Sequence, residues 1–289
     1  MATRISGLLL FAATSFVFSA TSFAQYSDFG GVTRKTHNFS FAPEVSSYTY
    51  KEPGLMKLSG TMVGFSAEYL NSGGVGRIKQ SMPIQLRARF NFMFGNLKYD
   101  GKLYNFDGHG NLVSITPYSY KGDDNYFTDF VFAGGFEAKI KETFSISPYM
   151  GLGYRYLEDK GNGSPYSYKR EQVYYYLPIG ADWTFITAPG WRLAFNTELN
   201  VLLRGENTSH GVSGSGNLNF RQNSGYGLKF ATKIEKDFRR VGVFAEPFYR
   251  YWDIKKSDVQ YVNDRGIRMG FVEPKNNTHE FGARIGVSF

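Results

Sequence analysis

The chain has 289 residues, 42% hydrophobic and 18% aromatic, with 33 glycines and a formal net charge of +8. That apolar content excludes wholesale disorder. The absence of cysteine excludes a disulfide framework, a thiolate metal site and a cysteine nucleophile.

Residues 1–24 read as a secretory signal peptide: Arg4, an apolar run from Gly7 to Phe18, then Ser22 and Ala24 before a cleavage point after Ala24. The apolar run is too short for the roughly 20 residues of a membrane-spanning helix. Residues 25–289 read as one exported domain.

Beyond the leader, apolar and polar residues alternate with period two, the signature of strands with one wet and one dry face. Ten such runs are expected, over 39–50, 58–70, 83–99, 126–141, 143–157, 171–186, 190–204, 223–238, 241–255 and 278–289. In the seventh, Trp191, Leu193, Phe195, Leu199 and Val201 alternate with Arg192, Asn196, Glu198 and Asn200. Tight links ("KET", "TAPG", "FRR") alternate with long polar loops over 100–125, 158–170, 205–222 and 256–277. Two links break that alternation: "EPGLMK" is a short outer one and "NSGGVGRIKQSM" a long inner one.

Alternation alone does not say which face is outside. Strands of this length, a wet face dense in both charge signs (Glu44, Arg87, Arg89, Glu198, Arg250, Arg284) and tyrosines near strand ends (Tyr154, Tyr156, Tyr174 to Tyr176, Tyr249, Tyr251) favour a membrane barrel. A soluble sandwich or lipocalin-like barrel is the alternative. In hydrocarbon an open sheet edge is too costly, so the sheet closes. The fold class expected is all-β: a ten-stranded antiparallel transmembrane β-barrel with short periplasmic turns and long extracellular loops. A lumen of that size fills with side chains, so its charges are expected to pair and plug it, with a narrow ion path as the alternative.

The last strand, with Phe281, Ala283, Ile285, Val287 and Phe289 alternating to a terminal aromatic, resembles the C-terminal signature of bacterial outer-membrane β-barrels. The resemblance implies the outer membrane of a Gram-negative bacterium and a barrel-assembly machinery that reads Phe289. Strand number and length resemble the omptins, outer-membrane proteases whose catalytic groups are an Asp pair facing an Asp–His pair. This chain does not match those residues. Asp107-Gly108-His109 lies in the second outer loop and "GENTSHG" offers Glu206 and His210 without an aspartate.

His109, His210, Asp107 and Glu206 are therefore the candidates for a rim hydrolase, cleaving peptide or lipid, and Ser209 beside His210 would need a third orienting group. Neither a metal nor a cofactor is expected, although "KGDDN" and "EDKGN" cluster oxygens. Lys255, Lys256, Arg265 and Arg268, with Lys275, are placed to meet lipopolysaccharide phosphates. The outer loops mix aromatic and adaptable polar residues, as a surface for an extracellular ligand or host cell does. No groove-reading motif accompanies the basic charge, so no nucleic-acid partner is expected. The leading expectation is a non-enzymatic surface barrel, with a hydrolase and a narrow pore as alternatives.

Overall fold

A computed structural model describes residues 27–29, 32–34, 36–79, 82–107, 111–165, 167–213, 216–238, 240–264 and 267–289. The expected signal peptide, His109 and Arg265 lie outside them. The structure is all-β, with ten long strands: β1 (His37–Glu52), β2 (Met56–Lys79), β3 (Met82–Phe106), β4 (Leu112–Phe136), β5 (Phe144–Asp159), β6 (Arg170–Ala188), β7 (Trp191–Ser213), β8 (Gly225–Phe238), β9 (Val241–Ile254) and β10 (Asn276–Ser288). Each pairs antiparallel with the next, and β10 pairs with β1 through Arg284 opposite Glu44 and Ser288 opposite Ser40. Phe39 and Phe289 complete the seam by exchanging backbone hydrogen bonds of 2.8 and 3.2 Å. The ring is closed, so this sheet has no edge within the membrane band.

Period two fixes which side chains face out. Phe41, Val63, Phe90, Phe130, Leu152 and Ile179 are exposed on the outer wall, and Phe65 packs against Phe90 and Phe92 there at ring separations of 5.8 and 6.0 Å. Glu44, Glu198, Glu246 and Arg155, at alternate positions, are buried in the lumen. The apolar face therefore meets lipid and the charged face fills the inside.

All ten expected strands are present, and the connections differ. Segments read as loops continue the barrel wall: β3 and β4 pair from Lys98–Lys121 up to Phe106–Leu112, and β7 pairs with a return strand, Gly216–Gln222. The supposed loop over 256–277 contains a hairpin, Gln260–Asp264 with Ile267–Phe271. On the inner side β2 runs to Lys79 and β3 starts at Met82, so that link is short after all, with register shifts near Arg77 absorbing the extra residues. Gly122, at φ 97°, sits at the bulge where Leu97 faces Asp123 and Lys98 faces Lys121. An L side chain rarely adopts that backbone, which is why a glycine stands there.

Candidate functional site: lumen and outer rim

The lumen is built in layers. In the periplasmic half and the middle, arginines bridge carboxylates from different strands. Arg250 reaches Glu44 at 2.7 Å and Glu280 at 3.2 Å, Arg284 reaches Glu246 at 2.7 Å, and Arg192 reaches Glu235 at 3.0 Å. Arg87 pairs with Asp182 and, at 3.2 Å, with Glu68. Buried charges persist only when paired in this way.

Above this lies an apolar layer of Tyr48, Met62, Met93, Phe127, Tyr174, Tyr176 and Trp252, all at most 4% exposed. Trp252 meets Tyr176 edge-on at 5.1 Å, and Arg155 lies over Phe127 at 4.3 Å, joining the two layers. Tyr174 and Tyr176 thus point inward, into the lumen, instead of joining an interfacial girdle. Alternation separates them from Tyr175, which is exposed on the outer wall.

Above the aromatic layer is a polar vestibule. Arg170 binds Glu52 at 2.6 Å and Asp159 at 2.8 Å. Glu273 accepts from Asn207 at 2.7 Å, and Asp123 accepts from Tyr120 at 3.0 Å. Burial, then the charge on Glu52, pushes Glu273 up to about 8. Burial, then Asp159, pushes Asp123 up to about 7. The "KGDDN" and "EDKGN" segments do meet here. Asn125 faces Asp159, and Asn162 donates to Asp124 at 2.7 Å. Among the described residues, though, no three His, Asp or Glu side chains are grouped to hold a metal.

On the outer wall above the lipid band, His210 meets Glu171 at 2.9 Å. Glu171 also accepts from Lys169 at 2.7 Å and Tyr156 at 3.0 Å; burial would raise its carboxyl, but the hydrogen bonds from Lys169, His210 and Tyr156 outweigh it and hold it down to about 2. Sequence reasoning missed Glu171, because only the pairing of β6 with β7 places it beside His210. Glu206 pairs with Arg204 instead. Asp107 caps the β3–β4 turn, accepting from the Asn111 backbone at 2.8 Å. Ser209 is buried on the opposite face from His210, so the neighbours do not form a dyad. The hydrolase candidates are therefore dispersed, apart from the new Glu171–His210 pair.

Of the expected phosphate contacts, Lys255 binds Asp253 at 2.8 Å, a group that Lys275 also reaches at 3.0 Å. Lys256 is exposed. Arg268 stacks on Tyr261 at 4.3 Å in the outer hairpin. Two lysines not singled out by sequence join the first pair. Lys51 faces Asn277 on one side and Lys57 on the other, so Lys255, Lys275, Lys51 and Lys57 follow one another around the rim.

Comparison with known proteins settles the fold. No family model matches the chain, and no curated protein does. The solved structure of the outer-membrane protease OmpT from Escherichia coli superposes with a TM-score of 0.56 at 9% identity, covering 92% of this chain and 99% of that one. This is the fold of bacterial outer-membrane β-barrel proteins. The translocator domain of the autotransporter NalP from Neisseria meningitidis matches at a TM-score of 0.43, 9% identity, over 89% of this chain and 88% of that one. The attachment protein Ail of Yersinia pestis gives 0.34, at 11% identity, over 88% of this chain and 99% of that one.

Proposed function

We propose that this protein is a sealed barrel of the outer membrane that acts at the cell surface, anchored by lipopolysaccharide and binding through its outer β-extensions. The observation that carries the reading is the aromatic layer across the lumen, since a barrel blocked to passage meets the cell exterior only through its outer extensions. The β3–β4 hairpin rises beyond the band of lipid-facing phenylalanines and exposes Tyr104, Val113 and Ile115, each more than 40% accessible. Large amphipathic and apolar side chains on an ordered ribbon are what a recognition surface needs. The row of Lys255 just after β9, Lys275 just before β10, Lys51 on β1 and Lys57 on β2 supports contact with lipid headgroups, whose phosphates ammonium groups bridge. Phe289, paired to Phe39, is the residue proposed to be read during assembly.

The test is conductance in bilayers containing lipopolysaccharide. The intact barrel is expected to be silent and Trp252→Ala to conduct. Unitary currents from the unaltered protein would overturn the sealed reading in favour of a pore. In the same preparations, glutamine at positions 51, 57, 255 and 275 is expected to lower co-purified lipopolysaccharide. Unchanged lipid would remove the anchor.

A second reading, a hydrolase at the rim, is favoured by the Glu171–His210 pair alone. A carboxylate that orients an imidazole is the arrangement that activates water. His210→Ala would then abolish turnover of peptide or lipid ester by the folded barrel. Equal turnover in both proteins would end that reading.

A further inference from the structure

Below the aromatic layer the lumen is not filled. A cavity of about 220 Å³ is lined at its mouth by Lys141, Glu142 and Thr143 of the β4–β5 turn, and so opens towards the periplasm. A smaller cavity of about 50 Å³ continues it up to Arg155, Tyr176 and Trp252. Four residues line both: Glu68, Arg89, Lys229 and Arg284. Three of the four are cationic.

The carboxylates at this junction are already engaged. Glu198 accepts from Arg89 Nη2 at 2.5 Å and from Tyr149 at 2.7 Å, Glu246 accepts from Arg284 Nη2 at 2.7 Å, and Glu68 faces Arg87 Nε at 3.2 Å. Arg89 Nη1 and Arg284 Nε are buried without a hydrogen-bond acceptor. Lys229 sits between Glu198 on β7 and Arg250 on β9 in register. Glu198 is engaged by Arg89, and Arg250 is committed to Glu44 and Glu280. Among the described residues the Lys229 ammonium has no hydrogen bond and no close ion pair of its own.

Arg89, Arg284 and Lys229 line one space against the single carboxylate of Glu68, and each keeps one nitrogen without a hydrogen-bond acceptor, so part of their desolvation cost is uncompensated. A compact anion with several oxygens answers all three, because guanidinium and ammonium groups together form its usual partners. We propose that the junction is a binding site for a phosphate group, either free phosphate or the head of a small phosphomonoester, entering from the periplasm. The site is independent of the surface reading, since it lies on the other side of the aromatic seal.

The experiment is calorimetric titration of the whole detergent-folded barrel with inorganic phosphate and, separately, glycerol 3-phosphate. Binding of either is expected. Tighter binding of the ester assigns the cavity mouth to an organic moiety, and equal binding assigns the site to the free anion. Lys229→Met should weaken binding about 10- to 100-fold, the range for losing a charge-assisted hydrogen bond. Lys229→Arg should retain it, and so should Lys141→Met at the cavity mouth. Each variant is first checked for the boiled-to-unboiled gel shift of a folded barrel. Absence of binding by the unaltered protein at millimolar ligand overturns the site. So does an equal loss in Lys229→Met and Lys141→Met, which would mean diffuse attraction to a basic mouth.

Discussion

Glu273 is a carboxyl group set where water barely reaches, 4% exposed beneath the outer hairpin. Its backbone exchanges bonds with Ser257, tying the two ends of that segment together, while its side chain faces Asn207, Glu52 and Arg170. Four carboxyls, Glu52, Asp123, Asp159 and Glu273, surround the single guanidinium of Arg170. With folded values raised to about 8 for Glu273 and about 7 for Asp123, the folded state holds protons that the unfolded chain has released. The stabilisation is thus fully present below pH 4 to 5 and is lost as pH rises through about 8. Amide exchange over 257–273 is expected to quicken across that interval, and Glu273→Gln to flatten the dependence. Exchange that slows with rising pH, after correction for intrinsic rates, would contradict the burial of this carboxyl.

At the scale of elements, each strand is defined by a lipid face and a lumen face. Phe130 on β4 stands between Phe90 on β3 and Tyr154 on β5 in the middle of the lipid face. Phe130→Arg is expected to destabilise the barrel by about 2–4 kcal/mol, the cost of a cation at mid-bilayer. Chemical unfolding in lipid vesicles reads it, and an unchanged midpoint would place this face elsewhere. That same two-faced chemistry made the strands legible in the sequence. It stops where the lipid stops. Above the membrane both faces of a strand meet water, so 100–106 and 112–120 carry no apolar alternation and read as loop, although their backbones pair. The Gly122 bulge obscured the pattern further by shifting register within the run.

For the whole molecule, closure and sidedness followed from local patterning, whereas contacts across the lumen did not. Alternation assigned Glu198 and Arg89 to the inside but could not say that they meet. The segment "GENTSHG" named His210 without Glu171, and Tyr174 to Tyr176 read together as part of an interfacial girdle although Tyr174 and Tyr176 point into the lumen and Tyr175 faces out. Such partners depend on the stagger between strands, which a single strand does not encode.

The seam between Phe39 and Phe289 carries one more consequence, for the order of events in folding. Every other strand pairs with a neighbour close in sequence, so nine hairpin-like pairings can form locally and early. The tenth joins the two ends of the barrel sequence and has the highest contact order of all. Until it forms, β1 and β10 both offer unpaired backbone, the kind of edge that invites aggregation. The slow, vulnerable step in the life of this protein is therefore the closing of a single pair of strands.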